Sequence, residues 1–415
     1  MKIHSSSGGM PTWPPQILAF CEAHNIDLSL YESAFRQQAV PRRYFRLNPL
    51  VEPPTDVATI AAELAAATRA EDSGCQREEI IKVGDWCKVA KFYSLPGHVA
   101  LASLPSYKRG AIHAMDVASA LAVQVLAIQP DDHVLDLCCA PGNKMAIIAT
   151  LLRQTHQGGA SRGTVTGVDI AKHRLHTTKS AVLKKLHCLG PCRLFLADGT
   201  SFAEPPMAPH PAAFLSKEKH RRETKEGTRK RKREDALRPL YQPRLLAAGV
   251  PVESGLYDKV LVDAECTHDG SIVHMLKHLT SQMDTKVQQE RKERDLAKFF
   301  AASLSKADDR PVLQKALLTN GFRLLKPGGL LVYATCSFTR EQNEDVVHAF
   351  LRAHANALLL PVPDKTTLPL STFSPVTAPD ELMQEILTKT ARLGGVSESE
   401  EWTSGLFIAL LQKMT

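Results

Sequence analysis

The sequence predicts an α/β protein with a doubly wound, mostly parallel sheet. From residue 110 onward, short apolar runs alternate with segments of helical spacing, and four of these runs end close to an aspartate. The longest apolar run, residues 117–128, is far shorter than the roughly 20 residues of a membrane span, so we expect no membrane association. Alternating strands and helices build a parallel sheet covered on both faces, with ligands at the carboxyl ends of its strands.

Composition favours an intracellular protein of more than one unit. The 415 residues carry nine scattered cysteines and a formal net charge of +7. Such cysteines indicate reduced thiols, and the pair Cys188 and Cys192 lacks a second ligand pair, so no metal site is expected. The N-terminal residues resemble neither a secretory signal nor an Arg-rich presequence, which favours nucleus, nucleolus or cytoplasm over the mitochondrion. We expect a smaller N-terminal region at residues 1–109 and the main α/β domain at 110–415.

A strongly basic run interrupts the main domain. Residues 217–235 hold ten Lys or Arg against five acids and show no apolar stripe. We interpret the surrounding segment, about 203–254, as a disordered insertion. The run is also compatible with a nucleic-acid contact or a nuclear-localisation signal, and the sequence leaves both roles open.

The remaining elements follow from periodicity. Apolar side chains that recur every three or four residues predict helices, and short apolar runs bounded by turns predict buried strands. Helices are expected over 111–126, 145–152, 174–189 and 271–325. Strands are expected over 133–137, 164–168, 192–196, 259–262, 330–334 and 405–411.

Two features predict a nucleotide site. One is the turn after the first of these strands, and the other is the aspartates that follow the later strands. Gly142 lets the backbone approach a ligand, and Asp169 can accept the hydroxyls of a ribose. NAD, FAD and ATP are disfavoured, because neither G-x-G-x-x-G nor a P-loop is present. An adenosine ligand without a pyrophosphate fits better, and S-adenosylmethionine is such a ligand, with Asp198 near the adenine. One such aspartate alone would more often be an ordinary cap or turn residue.

Two cysteines follow later strands of the main domain. Cys266 comes after the strand that ends at Asp263, and Cys336 comes after the strand at 330–334. Either one alone is more often a small buried residue than a nucleophile. Because adjacent parallel strands end side by side, we expect both thiols to face one substrate beside the cofactor cleft.

One segment of the N-terminal region is suited to nucleic acid. Residues 41–49, PRRYFRLNP, combine three arginines with two aromatic residues. Such a mixture can contact both phosphates and bases. A half-buried strand with exposed cations explains it equally well.

Four stretches of sequence carry a resemblance to a known family. They are DLCCAPGNK at 136–144, DAEC at 263–266, LKPGGLLVYATCS at 325–337 and EQNE at 341–344. On these stretches the chain resembles, from about residue 40 onward, the Nol/Nop/Sun family of S-adenosylmethionine-dependent RNA cytosine-5 methyltransferases. The resemblance implies a class I methyltransferase, Rossmann-like fold with a seven-stranded sheet and a smaller N-terminal α/β region that binds RNA.

The resemblance also implies a covalent mechanism. By the family pattern, the Cys336 thiolate adds to carbon 6 of a cytosine, which makes carbon 5 nucleophilic enough to take the methyl group. Cys266 then serves release, Asp263 hydrogen-bonds the ring, and Lys144 fixes the base and supplies positive charge. The expected substrate is structured RNA, tRNA rather than rRNA, bound by a monomer. The implied cofactor set is Cys138, Cys139, Ala140, Pro141, Gly142, Asn143, Lys144, Asp169, Arg174, Asp198 and Asp263.

Three departures from the family pattern bear on activity. Asn143 stands where a second glycine is usual, and we predict that it keeps the turn because asparagine tolerates left-handed backbone angles. Glu265 stands where proline is usual, and its anion is predicted to raise the pKa of Cys266 and slow release. The glycine, arginine and proline-aspartate elements that usually follow the release cysteine are missing from residues 267–273.

Other functions compete with this interpretation. An RNA-binding or assembly factor that keeps the fold but has little or no turnover is favoured by Glu265. The joint presence of both cysteines, Asp263 and Lys144 opposes it. A DNA cytosine-5 methyltransferase would place its nucleophile in a Pro-Cys pair on the fourth strand, and Glu265-Cys266 does not match that pair. An amino-group methyltransferase would carry an Asn/Asp-Pro-Pro-aromatic signature after the same strand, and this signature is not present.

Overall fold

A computed structural model shows one mostly parallel sheet and one small antiparallel sheet. It describes residues 15–31, 42–68, 80–97, 99–153, 162–208, 237–247, 249–271, 309–364, 368, 378–396 and 402–415. The basic run 217–235 and most of the helix expected over 271–325 lie outside these residues. No helix within them is both long and apolar enough to cross a membrane.

The described elements alternate between strand and helix through the main part of the chain. The strands are β1 (Arg43–Leu47), β2 (Ile81–Lys82), β3 (Phe92–Leu95), β4 (Ile112–Ala114), β5 (His133–Asp136), β6 (Thr164–Asp169), β7 (Cys192–Leu196), β8 (Met207–Ala208), β9 (Val250–Pro251), β10 (Tyr257–Asp263), β11 (Leu325–Thr335), β12 (Ala357–Leu360), β13 (Ala391–Val396) and β14 (Trp402–Lys413). The α-helices are α1 (Pro15–Ala23), α2 (Val57–Thr68), α3 (Pro105–Lys108), α4 (Val117–Val125), α5 (Asn143–Leu151), α6 (Lys172–Thr177), α7 (Arg244–Ala247), α8 (Arg310–Leu324), α9 (Glu344–Ala353) and α10 (Glu381–Lys389). A 3-10 turn (Leu101–Ser103) precedes α3, and a π-helical segment (Thr178–Lys184) continues α6.

The N-terminal sheet is antiparallel, with the strand order β2, β3, β1, β4. Its edge strand β4 falls within the helix expected from residue 111, so the predicted start of that helix was wrong. Ile112 and His113 pair with Leu47 and Arg46 of β1 instead. The helix begins only after Asp116, whose side chain accepts a hydrogen bond from the Ala118 N–H and so caps α4.

The main sheet confirms the predicted doubly wound, mostly parallel architecture. Its strand order is β12, β14, β11, β10, β5, β6, β7, and β11, β10, β5, β6 and β7 are mutually parallel. β14 runs antiparallel to β11, and both β12 and β13 run antiparallel to β14. The sheet has eight strands rather than seven, because β12 and β13 pair with different parts of the same edge of β14.

Helices cover both faces of the main sheet, as the alternating pattern requires. Apolar residues of α4, α5 and α6 pack in a core on one face, and those of α8, α9 and α10 pack in a second core on the other. Burial on both sides explains why the parallel strands are continuous apolar runs. The carboxyl ends of β5, β6, β7, β10 and β11 therefore open onto one edge.

Part of the segment predicted to be disordered is ordered. Within residues 203–254, β8 pairs with β9, and Tyr241 bridges to Leu194 of β7. Leu246 of α7 is buried. Disorder was the wrong prediction for these flanks, because they carry enough apolar side chains to dock on the sheet.

Candidate active site

A cleft of about 710 Å³ opens at the carboxyl ends of the parallel strands and extends to β1 of the N-terminal sheet. Most of the residues predicted from the sequence to form the site lie in its wall. Those lining it are Cys138, Ala140, Pro141, Asn143, Lys144, Asp169, Arg174, Asp198, Asp263 and Cys336. The predicted residues Cys139, Gly142 and Cys266 are not part of the lining, and both cysteines are buried.

The loop between β5 and α5 turns at Gly142. Its φ is 104°, and a Cβ there would lie 2.8 Å from the Thr178 side chain, so the position requires glycine. Asn143 is the first residue of α5 and has no left-handed backbone, so the prediction that it keeps the turn was wrong. Its Oδ1 lies 2.9 Å from Nε2 of His113 instead. Burial lowers the pKa of His113 to about 4, so a neutral imidazole donates this bond.

The three aspartates at the ends of β5, β6 and after β7 lie in different environments. Asp169 is buried and accepts two backbone N–H groups, from Ala140 at 3.2 Å and Ala171 at 2.8 Å. Asp198 is exposed and accepts both the N–H and the hydroxyl of Thr200 at 2.8 Å. Burial raises the pKa of Asp136 to about 7. Asp169 and Asp198 line the cleft, and Asp136 lies behind its wall.

Lys144 and Asp263 form an ion pair in the cleft, with Nζ of Lys144 donating to Oδ2 of Asp263. Burial lowers the pKa of Lys144, but the charge and hydrogen bond of Asp263 outweigh burial, with further help from Asp136 and Cys336. The net effect raises this pKa, so Lys144 is a cation. Its ammonium hydrogen-bonds the carboxylate rather than a thiol.

The structure brings Cys266 and Cys336 together, with their Sγ atoms 3.1 Å apart. The hydrogen bond from Cys266 holds the pKa of Cys336 well below its ordinary value, and the hydrogen bond and charge of His268 add to this effect against burial. Burial raises the pKa of Cys266 well above its ordinary value, and so do the hydrogen bond and charge of Cys336. Cys336 is therefore the easier of the two thiols to ionise, which favours Cys266 as the donor between them.

His268 completes this group. Its Nδ1 lies 3.0 Å from Sγ of Cys336 and 3.7 Å from Sγ of Cys266. The three atoms lie within 4.8 Å of one another, and the hydrogen bonds among them indicate a proton-sharing trio. The hydrogen bond to Cys336 and the charge of its thiolate raise the pKa of His268 against burial. Sequence reasoning missed this residue, whose only signal is a histidine two positions after a strand-end cysteine.

A buried polar network fixes the loop after Cys266. Oδ2 of Asp269 accepts the Phe338 N–H at 2.7 Å, and the Thr267 hydroxyl donates to its Oδ1. The Gln342 amide donates to that hydroxyl at 2.9 Å and accepts the Thr267 N–H at 3.2 Å. Asp269 and Gln342 were also missed as site residues, because their contribution is to hold backbone rather than to face the cleft.

Helix α8 supplies the partners of Glu265. Its Oε1 lies 2.9 Å from a guanidinium nitrogen of Arg310, and Gln314 donates to its backbone oxygen at 3.0 Å. The pKa of Cys266 is raised as predicted, but by burial, Cys336 and Asp269. The anion of Glu265, the predicted cause, is not among these principal causes.

Some residues of the arginine-rich segment 41–49 line the cleft, and others are buried in the core. Arg42 and Arg43 line the cleft, and Nε of Arg42 donates to Oγ of Ser94 at 2.9 Å. Phe45 and Arg46 are 0% and 1% exposed, so they cannot contact a ligand. The segment is therefore a half-buried strand that presents Arg42 and Arg43 to the cleft, and its interpretation as a nucleic-acid contact stays a prediction for these two residues.

The sequence as a whole matches a known family. The family model for 16S rRNA methyltransferase RsmB/F matches residues 123–207 and 248–374, which together are about half of the chain. The chain belongs to this family. The resemblance to the Nol/Nop/Sun methyltransferases is thereby confirmed, and the matched ranges contain Lys144, Asp263, Cys266 and Cys336.

Relatives of this RsmB/F chain include both rRNA and tRNA methyltransferases. The probable ribosomal RNA small subunit methyltransferase B of Bacillus subtilis (strain 168) is 24% identical over 318 residues, covering 76% of this chain and 50% of the relative. The mitochondrial tRNA (cytosine(34)-C(5))-methyltransferase of Danio rerio is 28% identical over 245 residues, covering 58% of this chain and 46% of the relative. The chain spans about half the length of the curated relatives it matches.

A solved structure has the same fold as this RsmB/F chain. The crystal structure of NSun6 from Pyrococcus horikoshii with SFG superposes with a TM-score of 0.57 at 15% identity. The match covers 97% of this chain and 98% of that one. At this identity, the likeness establishes the fold alone.

Proposed function

We propose that this RsmB/F family member is an RNA cytosine-5 methyltransferase that works through a covalent intermediate. The observation that supports this proposal is the close pair of cysteines, Cys336 and Cys266, beside the Lys144–Asp263 ion pair. Carbon 5 of cytosine is a weak nucleophile and needs prior addition of a thiolate at carbon 6, so this reaction requires an activated cysteine. Family membership and the rRNA and tRNA methyltransferases among the relatives agree with it.

The cofactor end of the cleft fits S-adenosylmethionine, which supplies the methyl group. Gly142 leaves the loop without a side chain at its tightest point, where a Cβ would meet Thr178. Arg174 donates to the Ala140 carbonyl at 2.7 Å and so holds the loop in place. Asp169 accepts the ribose hydroxyls, and Asp198 lies on the adenine side. The absence of a G-x-G-x-x-G pattern agrees with an adenosine ligand without a pyrophosphate.

In the addition step, the electron pair of the Cys336 thiolate forms the bond to carbon 6 of the cytosine. The electron pair of the carbon 5–carbon 6 double bond moves to carbon 5 and is shared with the rest of the ring, which makes carbon 5 nucleophilic. Lys144 donates to the ring and Asp263 accepts from its amino edge, so charge that builds up there is stabilised. Carbon 5 then takes the methyl group as the bond from that methyl to the sulfonium sulfur breaks.

Release follows from a change in the environment of Cys266. In the free protein, the hydrogen bond and charge of Cys336 are two of the causes that raise the pKa of Cys266. Both disappear when the Cys336 sulfur is bonded to carbon 6, so Cys266 becomes easier to ionise at that stage and loses its proton to solvent. Its thiolate then takes the proton from carbon 5. The electron pair of that carbon–hydrogen bond re-forms the carbon 5–carbon 6 double bond, and the bond between carbon 6 and Cys336 breaks with its pair returning to sulfur.

RNA enters the cleft from the side of the N-terminal sheet. Arg42 and Arg43 line the cleft there and are suited to phosphates, and Tyr44 lies beside them. The target base must leave its stack to reach Cys336, which favours a loop or single strand in a structured RNA. We take tRNA ahead of rRNA as the substrate of a monomeric, intracellular enzyme, with run 217–235 as a further RNA contact or nuclear signal.

The test compares wild type, Cys336→Ala, Cys266→Ala and the control Cys87→Ala, whose half-buried cysteine lies outside the cleft. Each protein is incubated with S-adenosylmethionine and either tRNA or rRNA, then run on a denaturing gel. We expect Cys266→Ala to accumulate a protein–RNA adduct and Cys336→Ala to form none. The control should behave as wild type.

The RNA that is trapped decides the substrate. Adduct with tRNA and not with rRNA supports the proposed preference, and the reverse result replaces it. Sequencing of the trapped RNA identifies the cytosine. If no variant forms an adduct and wild type transfers no labelled methyl group to either RNA, the chain is an RNA-binding factor that retains the methyltransferase fold.

A further inference from the structure

The histidine that follows the release cysteine has no counterpart among the family elements described above, yet it touches the nucleophile. We propose that His268 is a catalytic residue: its imidazole takes the thiol proton of Cys336 and holds it as an imidazolium beside the thiolate. This inference rests on the proposed function, because it makes Cys336 the attacking group.

Geometry singles out Nδ1 of His268 as the proton acceptor. It lies 3.0 Å from Sγ of Cys336, well within the range of a hydrogen bond to sulfur, and 3.7 Å from Sγ of Cys266. Lys144, the cation expected at this thiolate, donates to Asp263 instead. Among the described residues, His268 is therefore the cationic group in hydrogen-bond contact with the nucleophile.

The backbone holds the imidazole in this place at a conformational cost. His268 has a φ of 57°, a left-handed conformation that is uncommon for any residue with a side chain. The next two residues are tied to the end of β11: Asp269 accepts the Phe338 N–H, and the Gly270 N–H donates to the Cys336 carbonyl at 2.9 Å. A Cβ at Gly270 would lie 2.6 Å from that carbonyl oxygen, so the close approach requires glycine. The loop thus presents one side chain to Cys336 and fixes it there.

The charged groups around the pair favour the imidazolium form. The thiolate of Cys336 raises the pKa of His268 most, burial opposes it, and the carboxylates of Asp263 and Asp269 add to the increase. Cys266, the remaining titratable group in contact, stays protonated because burial raises its pKa. Lys144 is the other cation facing Cys336, and its charge also favours the thiolate.

The proposed step is balanced within the protein. The proton moves from Sγ of Cys336 to Nδ1 of His268, and the electron pair stays on sulfur. That pair forms the bond to carbon 6, and it returns to sulfur when the bond breaks at release. The same imidazolium stabilises the thiolate at both stages, so His268 assists attack and departure.

The experiment measures alkylation of Cys336 by iodoacetamide between pH 5 and 9 without RNA or S-adenosylmethionine. The tryptic peptide 324–340 contains Cys336 and no other cysteine, so mass spectrometry follows this thiol alone. The variants are His268→Asn, which tolerates a left-handed backbone, and His268→Ala. His187→Ala is the matched control, because His187 is exposed, lies outside the cleft and has a φ of 58°.

We expect both His268 variants to shift the midpoint of Cys336 alkylation upward by about 2 pH units, toward the pKa of about 8.5 of a free cysteine. The control should match wild type, and equal thermal unfolding midpoints verify that the variants fold. An unchanged midpoint in both His268 variants overturns the inference. The assay uses neither RNA nor cofactor. Its result can therefore be interpreted even if the proposed methyl transfer does not occur.

A second measurement separates catalysis from structural support. If His268 supplies the thiolate, His268→Asn lowers kcat of methyl transfer most at low pH, recovers toward pH 9 and leaves KM for RNA unchanged. A merely structural role would lower kcat by the same factor at every pH. That outcome would also count against the inference.

Discussion

Replacing Asp136 by asparagine should make the fold more stable at neutral pH and leave its stability unchanged in acid. Asp136 ends β5 and is 1% exposed, and burial raises its pKa from 3.8 to about 7, with further help from Asp263. Asparagine has nearly the same shape and cannot ionise. Its amide oxygen can still accept the Cys138 N–H, which lies 3.4 Å from Oδ1 of Asp136.

The magnitude follows from the difference between the folded and unfolded pKa. Between about pH 4 and pH 7, the Asp136 carboxyl is ionised in the unfolded chain and protonated in the folded one. Each pH unit in this window costs the folded state about 1.4 kcal/mol. The shift from 3.8 to about 7 therefore destabilises wild type by about 4 kcal/mol at neutral pH. Below about pH 4 the carboxyl is protonated in both states, and the penalty is absent.

The assay is urea unfolding followed by circular dichroism at pH 4, 5.5 and 7. The free energy of unfolding of Asp136→Asn should exceed that of wild type by an amount that grows across this series. Asp85→Asn is the control, because the Asp85 side chain is 89% exposed and its replacement should change stability by less than about 0.5 kcal/mol. A difference that stays constant with pH, or one that favours wild type at pH 7, would refute the reasoning.

Two further predictions concern release and RNA binding. Arg310→Met leaves the Glu265 carboxylate unpaired near Cys266, so the steady-state protein–RNA adduct on denaturing gels should increase severalfold, and Arg310→Met with Glu265→Gln should return it to the wild-type level. An increase that persists in the double variant would assign the effect to packing of α8. Arg43→Gln removes an exposed cation at the cleft, so the affinity for RNA should fall. The slope of the logarithm of the binding constant against the logarithm of the salt concentration should decrease in magnitude by about 1. An unchanged slope would mean that the RNA binds elsewhere.

The strands of the main sheet were predictable because they are buried on both faces. A strand covered on both sides has no polar face, so β5, β6, β7 and β10 appear in the sequence as short apolar runs with sharp ends. The region after Gly110 was harder, because Ile112 and Met115 have the three-residue spacing of a helix although Ile112–Ala114 forms a strand. Asp116 was the available signal for the boundary, since its side chain caps α4.

The pairing of Cys266 with Cys336 was also predictable, since it depends only on which strands are adjacent. The contact of His268 with Cys336 depends on a left-handed backbone angle in an irregular loop, and no periodic pattern encodes such an angle. The same limit applies to Asn143. The sequence showed a substitution in the cofactor turn, but only the structure shows that Gly142 makes the turn and that Asn143 contacts His113.

The departures from the family pattern around Cys266 form one alternative loop rather than a series of losses. Proline would restrain the backbone before Cys266, and in its place Glu265 is held by Arg310 through its carboxylate and by Gln314 through its carbonyl. His268, two residues after Cys266, has a left-handed backbone angle that a glycine would adopt freely. His268 adopts it under the constraint of the Asp269 and Gly270 contacts, and its imidazole then reaches the nucleophile. Glu265 and His268 each bring a polar side chain to the loop around Cys266, and each has a partner, Arg310 for Glu265 and Cys336 for His268. A chain that had only lost activity would have no reason to keep both partners in place, so the geometry argues for a reactive site that activates its cysteine by a different route.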